Sequence, residues 1–348
     1  NFIYYLAYIF LLVISRYNDN IFHIFAEITG DYAIIINCMK KNHFTDLLKK
    51  GLKGILKILP PSFPSRVYRF VSRIPPLKKI TNSIIRSFIP PSIQIMEGII
   101  ALNQEDVTVC GALALGAFEK RELEIFRNAV KAGMNVVDIG ANIGLYTVIA
   151  SHRIGPDGKV FAYEPEKDNF TILTKNIDLN QKHNSIALQI ALSEKIEKRN
   201  LYLAEDNKGH HSFAKDSSVN IPISVVTDTL DYSLEKYGSP KIDIIKMDIE
   251  GAEPLALKGM TQTIIRNPDI IIFTEIYPNA IRRLGHDPLD FLVSLARLEL
   301  SIWIIDEDIS EPARLNPKDF TSYIEHFPKG ESFHNLYASK KSFTHVPK

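Results

Sequence analysis

M-N-V-V-D-I-G-A-N-I-G-L-Y-T-V-I-A, residues 134–150, decides the fold of this 348-residue chain. The apolar pair Val136-Val137 leads to Asp138, a turn of mostly small residues runs from Gly140 to Gly144, and Leu145, Val148 and Ile149 then recur at helical spacing. A buried strand, a glycine turn and a helix start, in that order, are the parts of a nucleotide-cofactor loop in an open α/β sheet. Gly140 and Gly144 let the backbone turn sharply and approach a ligand closely. The helix start favours an anion, either a pyrophosphate or a carboxylate. The spacing is Gly-x-x-x-Gly, not the Gly-x-Gly-x-x-Gly of dinucleotide enzymes.

Downstream, strand and helix patterns alternate. Strands are expected at 159–163, 186–190, 242–247, 269–274, 301–305 and 334–339, and helices at 166–180, 230–237, 253–266 and 288–298. That alternation predicts a doubly wound, mostly parallel sheet with helices on both faces. Residues 200–226 read as a polar, β-rich insert, with strands at 200–203 and 221–226. Upstream, 119–132 forms a helix with Leu123, Phe126 and Val130 on one face, and 98–102 and 107–110 read as two strands joined by a polar turn.

The first 92 residues have another texture, so the chain divides into an N-terminal extension, 1–92, and a main domain, 93–348. Residues 2–14 are an apolar run, shorter than the roughly 20 residues of a membrane span and without the leading positive charge of a signal peptide. A clipped membrane anchor and a buried leader both stay open. Residues 43–59 form a basic amphipathic helix, with Leu48, Leu52, Ile55, Leu56 and Leu59 opposite Lys49, Lys50, Lys53 and Lys57. Prolines break 60–92 into short helical turns. Residues 40–90 hold twelve lysines and arginines against one acid, Asp46, so the rest of a chain with net charge +1 is about ten charges negative. Such a segment fits peripheral contact with an anionic membrane, or a helix packed on its own domain with solvated lysines. No nucleic-acid motif accompanies it, so no nucleic acid is expected, and the chain reads as cytoplasmic with membrane association left open. Two cysteines, Cys38 and Cys110, build neither a disulfide framework nor a zinc site. Adjacent His210 and His211 do not share a face, so no metal site is read there.

Four expected strands close on an acid: Asp138, Glu164, Asp248 and Glu275. Ligands of open parallel sheets bind beyond the carboxyl ends of the strands, so these acids line a cleft. A carboxylate at Glu164, after the second strand, suits the two ribose hydroxyls of a dinucleotide or of S-adenosylmethionine.

Three blocks, V-V-D-I-G-A-N-I-G-L-Y-T (136–147), Y-E-P (163–165) and I-I-K-M-D-I-E-G-A-E (244–253), resemble the FkbM family of class I S-adenosylmethionine-dependent methyltransferases over about 115–340. The third is the most specific. The resemblance implies a Rossmann-like sheet of seven strands that ends in an antiparallel hairpin. It implies that Asp138, Gly140, Asn142 and Gly144 shape the methionine end of the S-adenosyl-L-methionine site, that Glu164 holds the ribose, and that Lys246, Asp248 and Glu250 lie near the methyl group. The acceptor is expected to be a small molecule or glycan, most often a hydroxyl of a sugar, glycolipid or secondary metabolite. An alcohol must lose a proton; Asp248 is the first candidate base and Glu250 the second. Lys246 orients the acid, holds an acceptor hydroxyl, or is a structural ion pair with Glu250 or Glu253. Two alternatives remain: an NAD-dependent oxidoreductase or epimerase, and a non-catalytic interaction module on the same fold.

Overall fold

The computed structural model describes residues 75–204, 211–214, 220–309, 311–328, 332–341 and 343. They belong to two compact units divided between Phe88 and Ile89. In the first, helix α1 spans Pro75–Phe88. Pro75-Pro76 open this helix instead of breaking it, since the first turn has N–H groups with no partner to lose. The leader 2–14 and the basic segment 43–59 lie outside the described residues.

The second unit begins with a hairpin, β1 (Ser92–Ile95) and β2 (Gly98–Ala101). Residues 107–110, expected as a strand, instead lead into helix α2 (Val109–Leu115). The cause is Asp106, whose carboxylate accepts the N–H groups of Thr108, Val109 and Cys110 at 3.0–3.3 Å. A carboxylate that satisfies first-turn donors starts a helix.

After helix α3 (Lys120–Ala129) comes the main sheet. Its parallel strands are β3 (Asn135–Ile139), β4 (Lys159–Tyr163), β5 (Ser185–Leu188), β9 (Ile244–Met247) and β10 (Ile271–Ile276). Strands β11 (Ser301–Ile305), β12 (Ala313–Leu315) and β13 (His334–Ser339) complete the order β12-β11-β13-β10-β9-β3-β4-β5. Strand β13 inserts antiparallel between β10 and β11, which is the expected closing hairpin. Edge strand β12 and helix α11 (Phe320–Glu325), neither foreseen, lie between β11 and β13 in the chain. The insert strands β6 (Ala191–Leu192), β7 (Glu197–Ala204) and β8 (Asn220–Asp228) form their own sheet, order β6-β8-β7.

Strand alternation sends successive side chains to opposite faces. Val137, Ile139, Phe161, Tyr163, Ile245 and Met247 join one large core with helices α6 (Leu230–Glu235), α7 (Glu253–Lys258), α8 (Thr261–Arg266), α9 (Pro278–Arg283) and α10 (Pro288–Arg297). The run 253–266, expected as one helix, divides at Gly259, where a β-carbon would strike the carbonyl oxygen of Ser193. The other face carries Asp138 and Lys246, register partners on β3 and β9. Helices α3, α4 (Leu145–Ile154) and α5 (Lys167–Leu179) belong to that side: Phe126 of α3 stacks edge-on with Phe273 of β10, and Leu173 and Ile177 of α5 cluster with Ala162 of β4. Among the described residues no helix is long and apolar enough to cross a membrane.

The loop 140–144 lies where β3 and β9 end side by side. Gly140 has φ 78°, and a β-carbon there would collide with the backbone carbonyl of Asp248. Gly140→Ala is therefore expected to destabilise the domain by roughly 2–4 kcal/mol, the sum of left-handed strain and overpacking. A urea melt against wild type measures it.

Candidate active site

The loop that follows β3 holds its shape through the backbone. The N–H groups of Gly140 and Ala141 both donate to the carbonyl of Tyr163, at 2.9 and 3.0 Å. Asn142 takes a left-handed φ of 49°, which asparagine tolerates better than most residues. Its N–H donates to Glu164 Oε2 at 2.9 Å, and the N–H of Glu166 donates to Oε1 at 2.9 Å. Glu164 is thus aimed by two backbone donors. A carboxylate offers about four lone-pair sites, so capacity for two further hydroxyl donors remains. Burial pushes its pKa up to about 8 against the lowering effect of those N–H groups.

Asp138 is inside β3, buried, and accepts a hydrogen bond from Thr147 Oγ1 of α4 at 2.5 Å. Burial raises its pKa to about 6. Asp248 and Glu250 follow β9, on a turn in which Glu250 has φ 54°. Gly140, Asn142, Glu164, Asp248 and Glu250 all line one cleft. Its far wall is built by the insert: Leu201, His211 and Phe213 line the same space, and Ser212 Oγ donates to the Glu250 carbonyl at 3.1 Å. His210 lies outside the described residues. Asp138 and Gly144 stand behind the lining: a β-carbon at Gly144 would strike Leu173 of α5, so this glycine serves the close packing of two helices.

Lys246 is 1% exposed, inside β9. Its ammonium lies 3.3 Å from Glu122 Oε1 and 3.6 Å from Asp248 Oδ2, and 4.9 Å from the centre of the Tyr146 ring. The structural pair expected with Glu250 or Glu253 is therefore made with Glu122 and Asp248 instead. Burial disfavours the ammonium, but Glu122, Asp248, Glu119 and Glu275 outweigh it and hold the group charged. Glu253 turns away to accept the N–H of Ile249 at 3.0 Å.

Glu122 was missed in the sequence. It is fully buried on α3 and also accepts hydrogen bonds from Tyr146 Oη at 3.2 Å and Asn335 Nδ2 at 2.7 Å. A signal existed: Glu122 precedes Phe126 by four residues and so shares the buried face of that helix. Glu275, expected at a strand end, is inside β10 and pairs in register with Asn335 of β13. The early β10 boundary caused the error, because the strand begins at Ile271 and runs to Ile276.

A glycine loop after the first parallel strand, an acid after the second, and an antiparallel strand inserted before the edge define a class I methyltransferase domain. Residues 138–299 match the methyltransferase FkbM domain. The match replaces the oxidoreductase alternative. The chain is 32% identical over 176 residues to hexuronic acid methyltransferase AglP of Haloferax volcanii, covering 49% of this chain and 66% of that protein. It is 27% identical over 180 residues to methyltransferase sdnD of Sordaria araneosa, covering 42% and 68%. The chain thus spans about two thirds of the length of these relatives. The crystal structure of methyltransferase FkbM from Methylobacillus flagellatus KT superposes with a TM-score of 0.38 at 14% identity, over 77% of this chain and 60% of that one.

Two outcomes follow from these charges. Removing one partner of a buried ion pair leaves the other uncompensated, so Glu122→Ala is expected to cost roughly 3–5 kcal/mol, read as a shifted denaturant midpoint. Glu164 gives a pH dependence. Its folded value of about 8 lies above the ordinary 4.5, so its contribution to stability is complete below 4.5 and is lost as pH rises through 8. Melting temperatures between pH 4.5 and 8 should fall less steeply in Glu164→Gln than in wild type.

Proposed function

We propose that this chain transfers a methyl group from S-adenosylmethionine to a hydroxyl of a sugar or sugar acid. One observation carries the reading: the cleft that presents Glu164 and the glycine loop on one side presents Asp248 and Glu250 on the other. A donor with a ribose and a cationic centre fits these walls. The loop leaves no room for β-carbons at Gly140 or Gly144, Glu164 is held with spare acceptor capacity, and the remaining charges are mostly acids. Glu164 would hold the ribose hydroxyls, while Gly140, Asn142, Gly144 and Asp138 shape the methionine end. The name of the Haloferax volcanii relative, a hexuronic acid methyltransferase, supports a sugar acid as acceptor.

When bound, S-adenosylmethionine supplies an activated methyl group: its carbon–sulfur bond breaks as the new carbon–oxygen bond forms, and the electron pair stays on a neutral thioether. The chain has two tasks. It must align the acceptor oxygen with that methyl group, since positioning supplies a large share of the barrier reduction. It must also take the hydroxyl proton. Asp248, whose side chain is 33% exposed to the cleft, accepts that proton, with Glu250 beside it. Lys246 acts through Asp248: its ammonium, anchored by Glu122, holds the carboxylate in place.

Calorimetric titration with S-adenosylhomocysteine, and separately with NAD, tests the donor. S-adenosylhomocysteine should bind and NAD should not, and Glu164→Ala should weaken S-adenosylhomocysteine by roughly 10- to 100-fold, the worth of two hydrogen bonds. Labelled methyl transfer to hexuronic acids and neutral hexoses tests the acceptor, and Asp248→Asn should lower kcat by about 10²- to 10⁴-fold. Absence of S-adenosylhomocysteine binding overturns the reading.

A further inference from the structure

Carboxylate oxygens of Asp248, Glu250 and Glu275 lie within 4.8 Å of one another. They come from separate elements: Asp248 and Glu250 from the turn after β9, and Glu275 from the neighbouring strand β10. The register of β9 and β10 pairs Met247 with Thr274, which places Asp248 and Glu275 opposite each other one residue on. Three acids so close are by themselves only a charge problem. Glu275 adds an independent fact. It is 4% exposed, and its Oε1 is buried with no hydrogen-bond partner. A buried carboxylate oxygen without a donor is costly and seldom tolerated. The nearest base, Lys246, lies against Glu122 and Asp248. Glu275 therefore sets a buried carboxylate with one unsatisfied oxygen beside two other acids, where a positive charge is missing.

We propose that Asp248, Glu250 and Glu275 form a divalent-cation site at the floor of the cleft, which takes the acceptor hydroxyl as a further ligand. Two oxygen ligands bound to one ion at about 2.0–2.6 Å are separated by at most about 4–5 Å, and the spacing here falls within that limit. All three donors are carboxylates, which suits hard ions such as Mg²⁺ or Mn²⁺ and not those that prefer nitrogen or sulfur. Asp248 and Glu250 line the cleft, so the ion faces the acceptor, while Glu275 anchors it from behind. An ion held this way keeps open positions. Two neighbouring oxygens of a sugar acid, a hydroxyl and a carboxylate, could fill them together. The acceptor half of this inference rests on the methyltransferase reading; the ion site itself does not.

The test uses the whole chain, Mn²⁺ alone and electron paramagnetic resonance. The wild type should bind one Mn²⁺ per chain, displaceable by Mg²⁺, and should melt at a higher temperature with Mn²⁺ present. Glu275→Gln and Asp248→Asn should each weaken Mn²⁺ by at least about tenfold, the lower end of the loss seen for supporting groups of metal sites. Glu275→Gln keeps the shape of the side chain and is not expected to lower the melting temperature of the metal-free chain, whereas Asp248→Asn also loses a partner of Lys246 and is measured below its own melting temperature. S-adenosylhomocysteine affinity should be unchanged in Glu275→Gln, because Glu275 is not part of the donor wall. A wild type that binds no Mn²⁺ at millimolar concentration, or binding retained in either folded variant, overturns the site. Mn²⁺ binding by a chain that does not bind S-adenosylhomocysteine would keep the site and defeat the methyltransferase reading, so the two failures are distinct.

Discussion

The ammonium of Lys246 is buried in the middle of a sheet, and much of the site is arranged around keeping it charged. An isolated charge in such a place would neutralise or unfold its surroundings. Here Glu122 and Asp248 pair with it, and Tyr146 offers it the face of a ring. Each partner brings an element with it. Glu122 ties α3 to β9, and through Asn335 to β13; Asp248 ties the same lysine to the turn that bounds the cleft. One cation therefore couples the antiparallel closing strand, the helix before the sheet and the chemical edge of the sheet. Replacing such a pair with apolar side chains is often neutral for stability, so its value here lies in placing Asp248.

The cleft depends on a second constraint, the close approach of two backbones. Gly140 packs on the carbonyl of Asp248, so the loop after β3 and the turn after β9 touch directly. Nothing larger than hydrogen fits between them. Opposite, the small insert sheet supplies the wall: Leu201 belongs to its own apolar cluster with Ala191 and Val225, while Ser212 reaches the Glu250 carbonyl. One side of the cleft is built from the sheet that defines the fold, and the other wall from an insertion.

Most of the architecture was legible because periodicity is local. The alternation of strand and helix, the glycine turn at 140–144 and the acid at Glu164 are all patterns within a few residues of each other, and each is found where expected. The errors were also local in origin. Asp106 turned an expected strand into a helix by accepting three N–H groups, and Gly259 split an expected single helix because another backbone passes against it. Glu122 was missed for a different reason: its place four residues before Phe126 put it on the buried face, but its partner, Lys246, lies 124 positions away.

By itself, the sequence determined the class of sheet, the order of the main-sheet strands β3, β4, β5, β9, β10 and β11, the loop that carries Gly140, Asn142 and Gly144, and the acids Glu164 and Asp248 at the carboxyl edge of the sheet. Backbone conformation and side-chain alternation act over short stretches, and a linear reading can follow them. Only the tertiary structure decided which charges meet. It chose Glu122 and Asp248 over Glu250 and Glu253 as partners of Lys246, moved Glu275 inside its strand, and brought its oxygen beside Asp248 and Glu250. Those choices depend on strand register and on how far each carboxylate is removed from water, quantities that exist only once distant segments have packed together.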